Sequence, residues 1–228
     1  MATFDIKGIS VLLAMPAHRD ISPYTVSALL ETQQALTARG IPFELQMHTG
    51  GSCITVARSR ISSNFLKSDN TRLFYIDSDM VWKPDDVMRM IALSSVMDVV
   101  CAPYTARCDP PKFLMSFPEE FEANEYGCFA IDGVGLGFTI VSRTVIERLA
   151  EKAPKLRFNH QEDPIPHIFR FGLSGDEWMG EDIAFFEDVR ALGYTVNLDP
   201  TIVLGHIGTK TYQAAFMDML QQKAAEAA

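Results

Sequence analysis

The sequence predicts an α/β fold: a Rossmann-like, mostly parallel sheet flanked by helices, in a single domain spanning residues 1–228. A length of 228 residues suits one domain. With 47% hydrophobic and 21% charged residues, the chain has ample material for a core. Strand-like and helix-like segments alternate through the first half, and this order requires crossover connections and a mostly parallel sheet.

The first half is predicted to contain four strands and three helices. The continuous apolar run of residues 9–15 is typical of a strand covered on both faces. Ser22 as N-cap and Pro23 at the first helical position predict a helix that Gly40 ends. The apolar stripe of this helix consists of Val26, Leu29, Leu30 and Leu36. The other expected elements are a strand at 43–47, a helix with apolar positions at 54–65, a strand at 73–76, a helix from residue 84 and a strand at 99–104.

The second half is less regular. Residues 128–131 and 136–141 are expected to be strands, and Ser142 is expected to cap a helix that runs to about Glu151. A further helix at 181–192 and a strand at 195–198 complete the prediction. The segment 154–177 contains three prolines and no clear period, so we interpret it as a lid or a binding loop.

Charge and composition exclude several classes of protein. The net charge of −9 disfavours a generally basic nucleic-acid binder. No apolar run approaches the length of a membrane span, and the apolar run near the N-terminus lacks a basic leader, so it is interpreted as a strand. The four cysteines contain no CxxC pair, and we expect free thiols in a reducing cytoplasm.

Two carboxylates, Asp77 and Asp79, follow the predicted strand at 73–76 directly. In an open α/β sheet, ligands bind at the carboxyl ends of the strands. Residues i and i+2 of an extended chain point the same way, so both side chains could face one cation. Mg²⁺ or Mn²⁺ is usually held by one or two carboxylates together with substrate phosphates. On the pair alone, an acidic turn that caps the next helix is an equally good interpretation.

Three further features bear on this choice. Glu181 and Asp182 begin a predicted helix, where they could also simply complement the helix dipole. His206 lies in apolar surroundings, where a structural histidine is the commoner case. Arg58 and Arg60 follow a glycine pair early in a predicted helix, which suits a diphosphate, although an exposed basic helix face is the commoner explanation.

The order of these features resembles the GT-A nucleotide-sugar glycosyltransferases. The shared pattern is a strand-ended Asp-x-Asp, a glycine-rich strand, a Gly-Glu-Asp helix start and a late histidine, over about residues 9–210. Within this group, the sequence is most similar to the compact, single-domain transferases of bacteria and phages. The resemblance implies a hexosyl- or pentosyltransferase that moves a sugar from a nucleoside-diphosphate sugar to a hydroxyl acceptor with Mn²⁺ or Mg²⁺.

The resemblance also implies roles for single residues. Asp79 and His206 would ligate the metal, and Asp77 would contact the ribose or reach the metal through water. Asp182, with Glu181 as second choice, would be the base of an inverting reaction. The implied donor-binding residues are Pro16, Ala17, His18, His48, Arg58, Asp77, Ser78, Gly135 and Gly137. Residues 1–105 would be the nucleotide-sugar-binding half, and residues 106–228 the acceptor and catalytic half with the lid at 154–177.

Donor and acceptor stay open at this point. Many GT-A members have an acid at the end of the second strand that contacts the base, but here the chain reads Gln-Met-His-Thr at 46–49, so UDP and GDP remain alternatives. The acceptor could be a glycan, a small molecule, a protein or a modified base in DNA. For DNA, the basic residues that could form a strip, or be scattered surface charge, are Arg58, Arg60, Arg107 and Lys112.

Three alternative functions are a phosphatase, a nucleotidyltransferase and a binding module. A haloacid-dehalogenase-like phosphatase would use Asp77 and Asp79 as nucleophile and general acid, but that motif normally ends the first strand of its domain. A sugar nucleotidyltransferase would need a glycine-rich loop after the first strand, and none is present there. A catalytically silent nucleotide-sugar-binding module is not excluded by the sequence.

Overall fold

A computed structural model describes residues 4–116, 122–157, 163–174 and 176–226. The helices are α1 (Pro23–Ala38), α2 (Ile54–Lys67), α3 (Pro84–Leu93), α4 (Arg143–Lys152), α5 (Glu181–Ala191) and α6 (Phe216–Glu226). The strands are β1 (Val11–Ala17), β2 (Phe43–Thr49), β3 (Arg72–Ile76), β4 (Met80–Val81), β5 (Val99–Cys101), β6 (Met115–Ser116), β7 (Phe129–Ile131), β8 (Gly133–Val134), β9 (Phe138–Ser142), β10 (Lys155–Leu156), β11 (Ile165–Pro166), β12 (Gly172–Ser174), β13 (Glu177–Met179), β14 (Val196–Leu198), β15 (Gly205–Ile207) and β16 (Thr211–Tyr212).

The central sheet has seven strands in the order β2-β1-β3-β9-β5-β14-β7. Strands β2, β1, β3, β5 and β14 run in one direction, because β9 is antiparallel to both β3 and β5. Only β9 and β7 run in the opposite direction. The prediction of a mostly parallel sheet is therefore confirmed. Since β9 lies between β3 and β5, both halves of the chain build the same sheet.

Helices cover both faces of this sheet. Alternate residues of β1 point to opposite faces, and Leu12 and Leu13 are both 3% exposed. The core on one face is completed by α1 and α3, and the core on the other face by α2, α4, α5 and Phe216 of α6. The predicted α/β class is confirmed: a continuous apolar run such as β1 needs cover on both sides, and the helices provide it.

Helix α1 begins and ends where the sequence predicts, but its buried face differs from the prediction. Val26 and Leu30 are 40% and 55% exposed, so their assignment to the buried stripe was wrong. Two threonines occupy that face instead, because each has a hydrogen-bond partner there. Thr25 Oγ1 donates to the carbonyl of Met80 at 2.7 Å, and Thr32 Oγ1 accepts from the indole of Trp82 at 2.8 Å. The buried residues of α1 are Thr25, Ala28, Leu29, Thr32 and Leu36.

The segment 154–177, predicted as an irregular loop, contains regular structure in its described parts. Strands β10 and β11 pair with each other, as do β12 and β13. Phe169 is fully buried and stacks on Phe185 of α5, with ring centroids 4.9 Å apart. Strands of two or three residues are too short to show a period, which is why the sequence did not reveal them. Residues 158–162 and 175 lie outside the described part of the chain.

A small second sheet, in the order β16-β15-β4, was not predicted. In it, β15 pairs antiparallel with β4, and His206 lies opposite Met80. Strand β5 is shorter than expected and ends at Cys101, which leaves residues 102–105 as an extended segment beside this sheet. None of the helices in the described residues combines the length and the apolar character needed to cross a membrane.

Candidate active site

The predicted base- and ribose-binding residues lie together at the carboxyl edge of the sheet. Parallel pairing of β1 with β2 places Pro16 beside His48. Pro16 and Ala17 are buried, whereas His18 is exposed and its Nδ1 lies 3.1 Å from the carbonyl oxygen of Gly51. The ring of His48 also approaches Gly51, since a Cβ there would lie 3.3 Å from Nε2. These residues form one wall at the strand ends, and their role in donor binding stays a prediction.

The pairing of β15 with β4 brings His206 to Asp79. The amide of Ile207 donates to the carbonyl of Asp79 at 2.8 Å, which fixes the two backbones against each other. His206 Nε2 then lies 3.7 Å from Asp79 Oδ2. On the other side of the ring, Nδ1 lies 2.8 Å from the carbonyl oxygen of Thr105. A carbonyl can only accept, so Nδ1 carries the proton and the lone pair of Nε2 faces Asp79.

The surroundings of His206 favour its neutral form. Burial lowers the pKa of the imidazole below its ordinary value, and the positive charge of Arg107 lowers it further. The ring of Tyr104 meets the imidazole edge-to-face, with centroids 5.3 Å apart. A neutral imidazole held by a second-shell hydrogen bond is the form in which histidine binds metals.

Arg58 forms a buried bridge between the two predicted acidic pairs. Its side chain is 3% exposed. One terminal nitrogen lies 3.0 Å and 3.3 Å from the two carboxylate oxygens of Asp77, and the other lies 2.8 Å from Oε1 of Glu181. The sequence places Arg58 near the nucleotide; in the structure its guanidinium bridges Asp77 and Glu181, and its part in nucleotide binding stays a prediction.

Arg107 makes a second contact that the sequence did not predict. Its guanidinium pairs with Asp79 Oδ2, the same oxygen that faces His206. Arg58 and Arg107 are thus both ion-paired with acids of the candidate site. Arg58 is buried, so it does not belong to an exposed basic face, and a DNA acceptor stays a prediction.

Two glycines, Gly135 and Gly137, leave space in the site for the side chain of Tyr104. The carbonyl of Gly137 accepts from the amide of Asp77 at 3.0 Å, and the amide of Gly137 donates to the hydroxyl of Tyr104 at 3.2 Å. A Cβ on Gly135 would lie 2.0 Å from that hydroxyl, so only glycine fits at 135. Burial and the negative charge of Asp77 raise the pKa of Tyr104 far above its ordinary value, which keeps the hydroxyl neutral. The only signal for Tyr104 in the sequence was its place at the end of the predicted strand 99–104.

Glu181 and Asp182 both lie in the first turn of α5, as predicted, but they differ in their partners. Glu181 is tied to Arg58. Asp182 Oδ1 accepts from the amide of Ile183 at 2.8 Å, and among the described residues Asp182 makes no ion pair. Of the two acids, Asp182 is therefore the one whose carboxylate remains available to a ligand.

A pair of exposed aromatic side chains lies just before these acids in the chain. Trp178 of β13 is 70% exposed and Phe171 is 45% exposed, and their rings stack with centroids 5.3 Å apart. Strand β13 leads directly into Gly180 and α5, so the stacked pair is carried on the hairpin that precedes Asp182. The sequence did not indicate this pair, because Phe171 lies in a segment without a clear period and Trp178 directly follows that segment.

The donor set at Asp79 fits a divalent ion that is shared with a ligand. Within the described residues, no group of three or more His, Cys, Asp or Glu side chains could hold a metal by itself. Asp79 and His206 supply one carboxylate and one imidazole nitrogen, and the oxygens of a diphosphate would fill further positions. Asp77, also predicted as a ligand, has both oxygens within hydrogen-bonding distance of Arg58, which favours its alternative role at the ribose or through water.

Comparison with solved structures identifies the fold. The crystal structure of GalNAc-T7 with UDP, GalNAc and Mn²⁺ matches with a TM-score of 0.50 and 11% identity, over 90% of this chain and 45% of that chain. The chain has a GT-A-like fold and spans less than half of the GalNAc-T7 chain. No protein-family model and no curated protein matches the sequence.

Two other structures were found at lower scores. A glycosyltransferase involved in the glycosylation of the major capsid of PBCV-1 has a TM-score of 0.35 and 14% identity, over 65% of this chain and 71% of that chain. The 4-diphosphocytidyl-2C-methyl-D-erythritol synthase of Anaerococcus prevotii has a TM-score of 0.38 and 8% identity, over 66% and 79%. Both scores are too low to add to the fold assignment.

Proposed function

We propose that the protein is a metal-dependent glycosyltransferase that moves a hexosyl or pentosyl group from a UDP- or GDP-sugar to a hydroxyl acceptor. The observation that carries the proposal is the juxtaposition of Asp79 and His206, 3.7 Å apart at the carboxyl edge of a GT-A-like sheet. The GalNAc-T7 structure contains UDP, GalNAc and Mn²⁺, and this supports the same class of ligands here.

Asp79 and His206 are the residues that would hold Mn²⁺ or Mg²⁺. A bound divalent ion would neutralise the negative charge that develops on a departing nucleoside diphosphate. His206 is prepared for this role, since its Nδ1 proton is held by Thr105 and its Nε2 lone pair is directed at Asp79. Asp77 would accept from a ribose hydroxyl or from a metal-bound water while Arg58 keeps its carboxylate in place.

The donor would lie along the strand ends. Pro16, Ala17, His18 and His48 would border the base and ribose, with Ser78 between the two acids of the motif. Gly135 and Gly137 would take part in donor binding through Tyr104, whose hydroxyl fills the space that their missing side chains leave. Residues 1–105 would supply most of these contacts, and residues 106–228 would supply the acceptor and catalytic groups.

Asp182 would act as the base. An acceptor hydroxyl within its reach would lose its proton to the carboxylate and attack the sugar from the face opposite the diphosphate, which gives inversion. Proton removal by a positioned base is worth about 10²–10⁴-fold in rate. Glu181 would not take this role, because its ion pair with the buried Arg58 holds it as a positioning residue.

The acceptor would enter on the side of the β12–β13 hairpin. A stacked, exposed aromatic pair such as Phe171 and Trp178 offers a flat apolar surface for one face of a sugar ring. The segment 154–177, which leads into this hairpin, would close over the donor and exclude water. A glycan acceptor fits this surface better than a small polar molecule.

A measurement of sugar transfer tests the proposal. The protein is incubated with a panel of UDP- and GDP-sugars and oligosaccharide acceptors, with Mn²⁺ or with EDTA, and the released nucleoside diphosphate is measured. Asp182→Asn should lower release by about 100-fold or more while donor binding persists. Glu187→Gln is the matched control, since it removes an acid on the same helix that pairs with Arg170.

Each outcome has a defined meaning. Metal-dependent release that is lost in Asp182→Asn supports the proposal. Normal turnover by Asp182→Asn refutes the assignment of the base. Donor binding without release by the unmodified protein would indicate a silent binding module, and release of phosphate from a generic phosphatase substrate would favour a phosphatase.

A further inference from the structure

Asp79, the central residue of the proposed metal site, already has a cationic partner. The guanidinium of Arg107 pairs with its Oδ2. The side chain of Arg107 is 46% exposed, so burial does not force it into this position. Its aliphatic part passes Gly208, where a Cβ would lie 3.0 Å from Cδ of Arg107. The absence of a side chain at 208 leaves the path by which the guanidinium reaches Asp79.

The segment that carries Arg107 is attached to the same hairpin that carries His206. On one side of Arg107, the carbonyl of Thr105 accepts from His206 Nδ1 at 2.8 Å. On the other side, Asp109 pairs with Lys210 at 2.7 Å. Residues 105–109 and the β15–β16 hairpin are thus joined at two points, and Arg107 lies between them. This arrangement holds the flanking residues against the hairpin, while the half-exposed side chain of Arg107 borders solvent.

The guanidinium of Arg107 and a bound metal ion would compete for one oxygen of Asp79. Asp79 Oδ2 faces both the guanidinium of Arg107 and the Nε2 of His206. An ion coordinated by this oxygen and by His206 would occupy the space beside Oδ2. A guanidinium and a divalent cation on one carboxylate oxygen repel each other, and Coulomb repulsion at such distances is strong in a partly buried site.

We propose that Arg107 and the divalent metal bind Asp79 alternately, so that Arg107 neutralises Asp79 when the metal is absent and must leave when the metal enters. The inference rests on the proposed metal site and describes how its occupancy is set. Arg107 then lowers the affinity of the free protein for metal and compensates the charge of Asp79, as Arg58 compensates that of Asp77. It is a positioning residue that sets the charge state of the site.

The test measures Mn²⁺ binding to the full chain without donor or acceptor, by electron paramagnetic resonance of free Mn²⁺. Arg107→Gln should bind Mn²⁺ about five- to tenfold more tightly than the unmodified protein, because the competing ion pair is gone. Lys210→Gln is the matched control: it also removes one positive charge, but from the adjoining hairpin and from a pair with Asp109. It should change the affinity by less than about twofold. Asp79→Asn should abolish binding.

Failures of the inference and of the proposed function are distinguishable. If the unmodified protein and Arg107→Gln bind Mn²⁺ equally, or if the variant binds more weakly, the exchange is refuted while the metal site stands. If neither binds Mn²⁺, the metal site itself is refuted, and the exchange with it. If Lys210→Gln gained as much Mn²⁺ affinity as Arg107→Gln, the exchange would also be refuted, since the loss of any nearby positive charge would then explain the gain.

A second measurement uses only the unmodified chain and Asp79→Asn. Trypsin cleaves after Arg107 only when its guanidinium is released from Asp79 and enters the protease. Saturating Mn²⁺ should therefore accelerate cleavage between Arg107 and Cys108 in the unmodified protein and have no effect in Asp79→Asn. A cleavage rate that Mn²⁺ leaves unchanged, although Mn²⁺ binds, would overturn the proposal.

Discussion

Arg58→Met tests the buried bridge that supports both acidic pairs of the site. The substitution keeps a long side chain but removes the charge from a position that is 3% exposed. Asp77 and Glu181, which lie 3.0 Å and 2.8 Å from the guanidinium, would then be left as carboxylates without their buried partner. The expected results are lower stability and weaker donor binding, because neither acid would be held in place.

The size of the stability loss follows from the burial of the three groups. Removing one partner of a buried ion pair costs about 3–5 kcal/mol. The two carboxylates are 27% and 17% exposed, so water recovers part of their hydration and the lower end applies. A loss of about 3 kcal/mol corresponds to a fall in Tm of about 6–12 °C for a chain of this length.

Urea unfolding measures the loss of stability directly. The four proteins compared are the unmodified chain, Arg58→Met, Glu181→Gln and the double variant. In the double variant, one carboxylate no longer needs a partner, so part of the loss should be recovered. The interaction free energy between Arg58 and Glu181 should be about 1–3 kcal/mol. A loss below about 1 kcal/mol in Arg58→Met, or strictly additive losses in the double variant, would refute the reasoning.

Two further substitutions probe other parts of the site. Gly135→Ala should destabilise the protein by about 1–3 kcal/mol in urea unfolding, because its Cβ would lie 2.0 Å from the Tyr104 hydroxyl. Tyr104→Ala in the same chain should remove most of that added loss, and an undiminished loss would contradict the clash. Trp178→Ala should leave stability within about 0.5 kcal/mol, since the side chain is 70% exposed, while raising KM for a glycan acceptor. An unchanged acceptor KM would argue against the aromatic surface.

The parts of the fold that the sequence predicted are those with strong local signals. Helix α1 begins at Ser22 and Pro23, where the Ser22 hydroxyl accepts from the amide of Tyr24 at 3.3 Å. Helix α5 ends before Gly193, whose φ of +87° favours glycine. The Asp-x-Asp pair lies at a strand end because a fully apolar run must stop where the chain meets water. Caps, strand ends and apolar runs are encoded within a few neighbouring residues.

The parts that the sequence did not predict depend on contacts between distant segments. Strands β4 and β15 have two and three residues, too few for a period, yet their pairing places His206 beside Asp79. The resemblance to GT-A transferases suggested that juxtaposition, but it gave no reason for it. The ion pair of Arg107 with Asp79 depends on the path of an irregular segment and on the bare backbone at Gly208.

The buried face of α1 is a further feature that the sequence predicted wrongly. Counting apolar residues selected Val26 and Leu30, whereas the helix buries Thr25 and Thr32. Each threonine is satisfied by a hydrogen bond to the segment that follows β3, and this offsets the cost of burying a hydroxyl. Such partners become visible only once the strands are in place.

The central claim is that Asp79 and His206 hold a metal that binds a nucleoside diphosphate at the carboxyl edge of the sheet. Isothermal titration calorimetry of UDP and GDP with Mn²⁺ and with EDTA, for the unmodified chain and for Asp79→Asn, tests it most directly. At least one nucleotide should bind in Mn²⁺, with its affinity reduced about tenfold or more by EDTA and by Asp79→Asn. Equal affinity in EDTA, or no binding of either nucleotide, would contradict the account.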